Sequence, residues 1–197
     1  MGRRTLARIW EAGGLLRHLQ NHVTILETER LALREITTDD APFLLKLLNE
    51  PSFIQNIGDR NVRSIDDAGR YALNGPIASY EQHGFGLYLV ELKECQAAIG
   101  ICGLVKRDSL PDADIGFAFL PEYWRQGYAV EAAQAIKEYG AGALGMKRFL
   151  AIVNPANASS IRVLEKIGLA YDRMIRVTPD APEICLYSSE EKILWPN

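Results

Sequence analysis

The stretch that most constrains the fold runs from residue 112 to about residue 144, where a strand pattern gives way to a helical one. Residues 112–119 (DADIGFAF) alternate polar and apolar side chains, as a half-buried strand does. The apolar residues farther on recur at helical spacing: Val130, Ala133, Ile136 and Tyr139. The residues between them, Leu120–Ala129 (LPEYWRQGYA), must therefore turn sharply into the start of a helix.

This turn is suited to binding an anion. It carries no acidic side chain between Tyr123 and Val130, and Gly127 can bring the backbone close to a ligand or adopt a positive φ. The first N–H groups of a helix have no partner inside it, and the helix dipole favours a phosphate there. We therefore expect residues 125–129 to bind a diphosphate. An ordinary turn in which Gly127 only relieves crowding is the alternative.

A second strand, loop and helix follow about 30 residues later. Met146–Val153 is a strand candidate, and a helix is predicted from Ala158. Asn157 is a good N-cap for this helix, and Gly168 is a natural residue to follow its C-terminus.

The two segments resemble two motifs of the GNAT family of N-acetyltransferases. The first motif is Arg or Gln, x, x, Gly, x, Gly or Ala, and the chain has Trp124–Ala129 (WRQGYA), with Trp in place of Arg or Gln. The second is Asn-x-x-Ser or Ala before a helix that ends in Gly-Phe, which here is Gly168-Leu169. The aromatic-Trp pair, the Gly-Tyr-Ala turn and the opening Thr28–Leu31 (TERL) are similar to the RimJ/RimL-like branch, which acetylates ribosomal-protein amino termini.

The order of predicted elements is strand, two helices, three strands, helix, strand, helix and two strands, a mixed α/β (α+β) arrangement. The resemblance implies one N-acetyltransferase domain over residues 25–197, with a mostly antiparallel sheet of about seven strands and about four helices. It also implies that the fourth and fifth strands splay apart and admit the pantetheine arm of coenzyme A.

The resemblance implies that the two helices after the first strand, with the loop between them, frame the acceptor pocket. Thr38 is predicted to cap the first helix and Pro51 to end it, and Ser64–Asp67 resembles a capping box for the second. Asn74–Pro76 is expected to break or kink the second helix. The resemblance implies that substrate identity depends on the intervening stretch, Asn56–Arg63.

The resemblance implies acetyl-coenzyme A (acetyl-CoA) as the co-substrate of an acyltransferase that needs no metal. The residues expected to bind it are Phe117, Ala118, Phe119, Arg125, Gln126, Gly127, Tyr128, Ala129, Asn157 and Ser160. Arg162 and Lys166 lie four apart on one helical face. They either reach the 3′-phosphate of the coenzyme or form an ordinary solvated basic face.

Acetyl transfer requires a neutral amine, a stabilised oxyanion and a proton for the leaving thiolate. Asp114 shares a strand face with two small residues, Gly116 and Ala118, so we predict that it is the catalytic base, acting through water. A solvated acid at a strand end is the alternative. The Tyr and Glu proton-handling positions of other family branches align with Leu164 and Ile152, so neither group is present here. The candidate proton donors are Ser160 and a bound water, and the alternative for Ser160 is that it only holds the helix start or the cofactor.

Weak base machinery favours an acceptor of low pKa. At pH 7 about a tenth of protein α-amines are neutral, against about one lysine in 2,500. The sequence therefore predicts transfer to a protein or peptide N-terminal α-amine, such as that of a ribosomal protein. A small-molecule amine acceptor and a coenzyme-A-binding regulatory module without turnover are the alternatives.

Composition excludes several other classes. A net charge of −3 without a basic run beyond Arg3-Arg4 argues against nucleic acid, and no stretch has the 18 apolar residues of a membrane span. Three cysteines without C-x-x-C spacing predict neither a disulfide framework nor a zinc cluster, which fits the cytoplasm. We expect a monomer or homodimer, with residues 1–24 forming either a short amphipathic helix or a disordered extension.

Gly140–Gly145 (GAGALG) matches the G-x-G-x-x-G pattern of dinucleotide sites. Such glycines must follow a strand and open a helix, because the helix N-terminus faces the pyrophosphate. Here they follow a helical pattern and precede a strand, so the sequence predicts a helix end instead.

Overall fold

The computed structural model describes residues 23–189, so the predictions for residues 1–22 lie outside the described part of the chain. Eight strands form one sheet: β1 (Thr24–Glu27), β2 (Leu31–Glu35), β3 (Leu87–Leu92), β4 (Ala98–Val105), β5 (Asp114–Phe119), β6 (Leu150–Val153), β7 (Ala170–Ile175) and β8 (Ile184–Ser188). Six α-helices flank it: α1 (Ala41–Leu48), α2 (Pro51–Asn56), α3 (Ile65–Ala72), α4 (Ala78–His83), α5 (Tyr128–Gly142) and α6 (Ala158–Lys166). The predicted mixed α/β class is confirmed.

The strand order is β1-β2-β3-β4-β5-β6-β8-β7, and β5 and β6 are the parallel pair in an otherwise antiparallel sheet. One bridge, between Asp114 and Leu150, joins β5 to β6, whereas β4 and β5 pair along six positions. Beyond that bridge the two strands diverge. They correspond to the predicted fourth and fifth strands, so the predicted splay is confirmed.

Two apolar clusters place helices on both faces of the sheet. One cluster packs α5 and α6 against one face, with Ile136 and Leu164 buried among strand residues such as Ile115. The other packs α1, α2 and α3 against the opposite face, around Leu89 and Ile101. The cleft between β5 and β6 can therefore be reached from both layers.

The amino-terminal prediction needs one correction. The alternation of Leu31 and Leu33 with polar residues predicts the first strand, and both residues lie in β2; an unpredicted strand, β1, precedes it, and Thr28 starts the hairpin turn between the two. The Thr28 N–H donates to the Leu31 carbonyl at 2.9 Å, and the Leu31 N–H donates to Thr28 Oγ1 at 3.0 Å. Because β1 is short and half exposed, its pattern does not stand out, and the sheet has eight strands rather than about seven.

The early helices also differ from the prediction. Thr37, not Thr38, caps a 3₁₀ turn before α1, and Pro51 begins α2 because proline suits the first helical position. Ser64 caps α3 as predicted, since its hydroxyl accepts from the Asp67 N–H at 3.1 Å. Pro76 does not break the helix, because a π-helical segment, Leu73–Ile77, absorbs it before α4.

The glycine-rich run closes α5, as predicted, but the helix extends three residues past Tyr139 to Gly142. A Cβ at Gly140 would lie 2.6 Å from the Phe149 ring, so a small residue is needed there for helix-to-sheet packing. Gly145 follows with a φ of 66°. These glycines therefore end a helix and do not open one.

Candidate active site

A cleft of about 550 Å³ lies over the turn between β5 and α5 and reaches the start of α6. We call it the turn-side cavity. It is lined by all the residues predicted to bind the co-substrate except Gln126: Phe117, Ala118, Phe119, Arg125, Gly127, Tyr128, Ala129, Asn157 and Ser160. The Gln126 side chain instead donates to the Glu122 carbonyl at 3.1 Å.

The backbone of the turn exposes N–H groups to this cavity. Gly127 is the N-cap of α5 with a φ of 87°, and Arg125 also has a positive φ of 60°. No side chain caps α5 within the described residues, so the N–H groups of its first turn are open to a ligand. The arrangement fits an anion held by backbone groups at the positive end of the helix dipole.

Arg30 fastens this turn to the β1–β2 hairpin. Its Nε and Nη2 lie 2.7 and 2.6 Å from Glu131 Oε2, and its Nη1 donates to the Gln126 carbonyl at 3.0 Å. The guanidinium also lies 4.5 Å from the centre of the Tyr128 ring. The predicted site lacks Arg30 and Glu131, although the Thr28–Leu31 stretch that carries Arg30 was the signal available for it.

Burial raises the pKa of Glu131, but hydrogen bonds from Thr28 and Arg30 outweigh burial and hold that pKa below its ordinary value. The carboxylate therefore stays ionised near the anion-binding turn. Arg30 offsets its charge, so the turn does not present a bare negative group to a phosphate.

The edge of β5 supplies a second set of backbone groups. The Leu120 N–H donates to Ile99 on β4, and the Ala113 carbonyl accepts from Leu150 on β6. Because backbone groups alternate along a strand, the odd-numbered residues of β5 face the β6 side. Past the splay, Phe117 and Phe119 therefore turn their N–H groups into the open gap. The Phe119 carbonyl accepts from Trp124 Nε1 at 2.7 Å, which fixes the turn against the strand.

The start of α6 forms the opposite wall. The Asn157 side chain accepts from the Ser160 N–H at 3.1 Å, which confirms the predicted N-cap. Ser160 is half-buried where the two strands diverge. Arg162 and Lys166 line the turn-side cavity, together with Arg125, so three cationic side chains border it.

A second cleft of about 500 Å³ lies on the α1–α3 face of the sheet, and we call it the acceptor-side cavity. Both clefts are lined by Phe53, Asn56, Ile57, Phe117, Ala118, Asn157 and Ser160. These shared residues surround the splay between β5 and β6. The two cavities therefore adjoin at the splay, one on each face of the sheet.

Asp114 lies in the acceptor-side cavity, on the same strand face as Gly116 and Ala118. It is 1% exposed, and its Oδ1 accepts from Arg107 Nε at 2.8 Å. Burial raises the pKa of Asp114, although the Arg107 guanidinium lowers it in part. The carboxylate is thus not the solvated strand-end acid of the alternative interpretation, and its role as base stays a prediction.

The two positions at which other family branches carry a proton-handling Tyr or Glu are apolar here. Leu164 and Ile152 line the acceptor-side cavity and carry no ionisable group. Tyr71 lines it too, and burial raises the pKa of its phenol, whereas the charges of Arg60 and Arg107 lower it. Arg60 belongs to the Asn56–Arg63 stretch expected to frame the acceptor, but the sequence gives no reason to place Tyr71 or Arg107 beside it.

Within residues 23–189, no group of three or more His, Cys, Asp or Glu side chains is arranged to bind a metal ion. Across the same span, no helix has the length and hydropathy to cross a bilayer.

Comparisons with known proteins agree with this geometry. The acetyltransferase (GNAT) domain model matches residues 30–170. The uncharacterised N-acetyltransferase YoaA of Bacillus subtilis (strain 168) is 32% identical over 154 residues, which covers 77% of this chain and 86% of YoaA. YnaD, another uncharacterised N-acetyltransferase of that strain, is 30% identical and covers 75% of this chain and 82% of its own.

Solved structures share the fold. An acetyltransferase from Agrobacterium tumefaciens str. C58 superposes with a TM-score of 0.71 at 25% identity, covering 83% of this chain and 92% of its own. RimL, a ribosomal L7/L12 alpha-N-protein acetyltransferase solved with coenzyme A, superposes with a TM-score of 0.70, covering 84% of this chain and 96% of its own. At 18% identity the RimL match concerns the fold alone.

The open helix start fits the diphosphate of acetyl-CoA, and the unpaired edge of β5 fits its pantetheine arm. With the family model matching residues 30–170, the chain belongs to the GNAT family and is an acetyl-CoA-dependent N-acetyltransferase.

Proposed function

We propose that the enzyme acetylates the α-amine at a protein or peptide N-terminus by direct attack on the thioester. The meeting of the two cavities at the splay carries this proposal, because acetyl-CoA and an amine can approach one point from opposite faces of the sheet. Acetyl-CoA supplies the activated acetyl group. In this proposal the described residues hold both reactants at that point.

The backbone N–H groups of the turn and the first turn of α5 hold the diphosphate, and Phe117 and Phe119 offer N–H groups to the pantetheine and the thioester carbonyl. Asp114 receives the amine proton through water, and its raised pKa brings it closer to neutral pH than an ordinary carboxylate. Ser160 lies at the junction of both cavities and provides the hydroxyl for the leaving thiolate.

The low-pKa acceptor follows from the same inventory. Among the described residues that line the acceptor-side cavity, Asp114 is the one carboxylate, and Arg107 already pairs with it. Such a site is poorly equipped to deprotonate a lysine ammonium, whereas an α-amine is partly neutral at pH 7. Free thiols at Cys95, Cys102 and Cys185 agree with a cytoplasmic setting for this reaction.

An amine panel at pH 7 tests the proposal. Wild-type enzyme receives acetyl-CoA with a free-N-terminus peptide, an N-terminally blocked peptide containing one lysine, or spermidine, and products are identified by mass spectrometry. We expect the free α-amine to be acetylated at least about tenfold faster than the lysine side chain or spermidine. Faster acetylation of lysine or spermidine would refute the α-amine assignment.

A further inference from the structure

We propose that Arg60 and Arg107 together bind an anionic oxygen group, a carboxylate or a phosphate, that the acceptor carries close to its amine. This inference rests on the proposed function and specifies the chemistry of the acceptor. Both side chains line the acceptor-side cavity, Arg60 from the loop after α2 and Arg107 from the loop between β4 and β5.

Both guanidinium groups have N–H donors to offer. Within residues 23–189, Arg60 makes no ion pair or side-chain hydrogen bond, although its neighbours Asp59 and Arg63 pair with each other. Arg107 uses its Nε for Asp114, and no described residue accepts from its two terminal nitrogens. A guanidinium fixed at one edge with its fork free is a good receptor for a planar carboxylate or a phosphate.

The two arginines act on the same region of the cavity. Tyr71 lines its wall, and the positive charge of each arginine acts on the Tyr71 phenol. Asp114 offsets one of the two positive charges, so the ionised lining of this cavity carries a net positive charge of one. An acceptor that carries an anion beside its amine complements this charge, whereas a polyamine would be repelled by it.

The position of Arg107 links recognition to chemistry. Its Nε bond to the buried Asp114 fixes the guanidinium next to the candidate base. An acceptor anion held by the free fork would bring the amine toward Asp114 and the splay between β5 and β6. Arg107 is therefore a positioning residue in this scheme, and Arg60 is a specificity residue at the outer wall.

The test uses matched acceptors that differ in one anionic group. Full-length wild-type enzyme is assayed with a peptide that begins Ser-Asp and with one that begins Ser-Asn. A peptide with phosphoserine in place of the aspartate is compared with the same Ser-Asn peptide, and free serine is compared with serinamide. We expect kcat/KM to be at least about tenfold higher for the anionic member of a pair than for its neutral counterpart. Equal rates for the anionic and neutral members would overturn the proposal.

Variants assign the effect to the arginines. Arg60→Gln removes an exposed, unpartnered side chain and should reduce the ratio of the Ser-Asp to the Ser-Asn rate about tenfold. Arg107→Lys keeps a cation beside Asp114 but loses the fork, and should reduce the same ratio. Arg70→Gln removes an exposed arginine that lines neither cavity and should leave the ratio intact. An unchanged ratio in both cavity variants would contradict the assignment.

The two proposals fail in different ways. If no peptide is acetylated but serine is preferred over serinamide, the peptide assignment fails and anion recognition stands. If peptides are acetylated without preference for the acidic member, anion recognition fails and the peptide assignment stands. Calorimetric titration of the Ser-Asp and Ser-Asn peptides gives a second readout. Wild type should bind the acidic peptide at least about tenfold more tightly than the neutral one, whereas Arg60→Gln should bind the two peptides with equal affinity.

Discussion

The two cavities meet at the same strand edge but are built in different ways. The turn-side cavity depends on backbone groups of consecutive residues, the turn before α5 and the cap of α6. The acceptor-side cavity depends on side chains from separate loops and strands, including Arg60, Tyr71, Arg107 and Asp114. A site made by local backbone geometry serves one constant ligand, and a site made by distant side chains can vary with the acceptor.

The sharpest test of the turn-side cavity is Gly127→Glu. Gly127 has a φ of 87°, and an added Cβ would lie 3.3 Å from Arg30 Nη2, so the glutamate side chain would strain the turn and put a negative charge at the proposed phosphate site. We expect acetyl-CoA affinity to fall about 1,000-fold, equivalent to losing two charge-assisted hydrogen bonds, as measured by calorimetry. Gly145→Glu is the control, because Gly145 also has a positive φ of 66° but lies outside both cavities. Unchanged affinity in Gly127→Glu would remove the turn from co-substrate binding.

Asp114→Asn tests the chemistry of the acceptor-side cavity. Asparagine can still accept the Arg107 Nε hydrogen bond, so the substitution removes the base and keeps the contact. We expect kcat/KM to fall about 100-fold with acetyl-CoA affinity unchanged. In wild type, rates corrected for the neutral fraction of the amine should drop as the pH falls through the raised pKa of Asp114. This loss of rate at low pH should be absent from the variant. If wild type and variant have the same pH profile, Asp114 is not the base and only positions other groups.

Arg30→Gln tests whether the contacts of Arg30 with Glu131 and the Gln126 carbonyl contribute to acetyl-CoA binding. The change frees the turn from the Arg30 side chain and leaves the Glu131 carboxylate without its ion-pair partner near the proposed phosphate site, and both consequences should weaken binding. We expect acetyl-CoA affinity to fall about tenfold with little change in kcat. Lys93→Gln is a matched control, since Lys93 is 40% exposed against 42% for Arg30 and pairs with Glu27. Equal losses in the two variants would point to a general charge effect.

Glu131→Gln should give the smallest effect of these substitutions, a change in how the stability of the fold depends on pH. Because the pKa of Glu131 is held below its ordinary value, its ion pair stabilises the fold above the ordinary pKa, about 4.3, and is lost as pH falls through the folded-state pKa. Wild type should therefore lose melting temperature more steeply than the variant below about pH 4.3. Parallel curves of melting temperature against pH for wild type and variant between pH 7 and pH 3 would contradict a stabilising Arg30–Glu131 ion pair.

The difference between the cavities also explains what the sequence could predict. Gly127, Asn157 and Gly168 act through local backbone conformation, and each lies in the predicted turn, cap or helix end. The splay of β5 and β6 was likewise anticipated from the family motifs. These features depend on neighbours in the chain, so short patterns describe them well.

The missing parts depend on side-chain contacts that short sequence patterns do not encode. Arg30 meets Glu131 across 101 positions, and the Arg107 side chain contacts Asp114 only because the β4–β5 loop folds back. Pro51 and Pro76 show a second limit, since proline starts α2 in one case and is absorbed by a π-helical segment in the other. The local pattern signals a disturbance at both prolines, and packing decides its outcome.

The most direct test of the account is a crystal structure of the full chain with acetyl-CoA bound. We expect the diphosphate within hydrogen-bonding distance of the N–H groups of residues 125–129, and the thioester between Phe117 and Ser160, facing the acceptor-side cavity. Phosphates bound anywhere other than the start of α5 would contradict the central claim, whichever amine the enzyme acetylates.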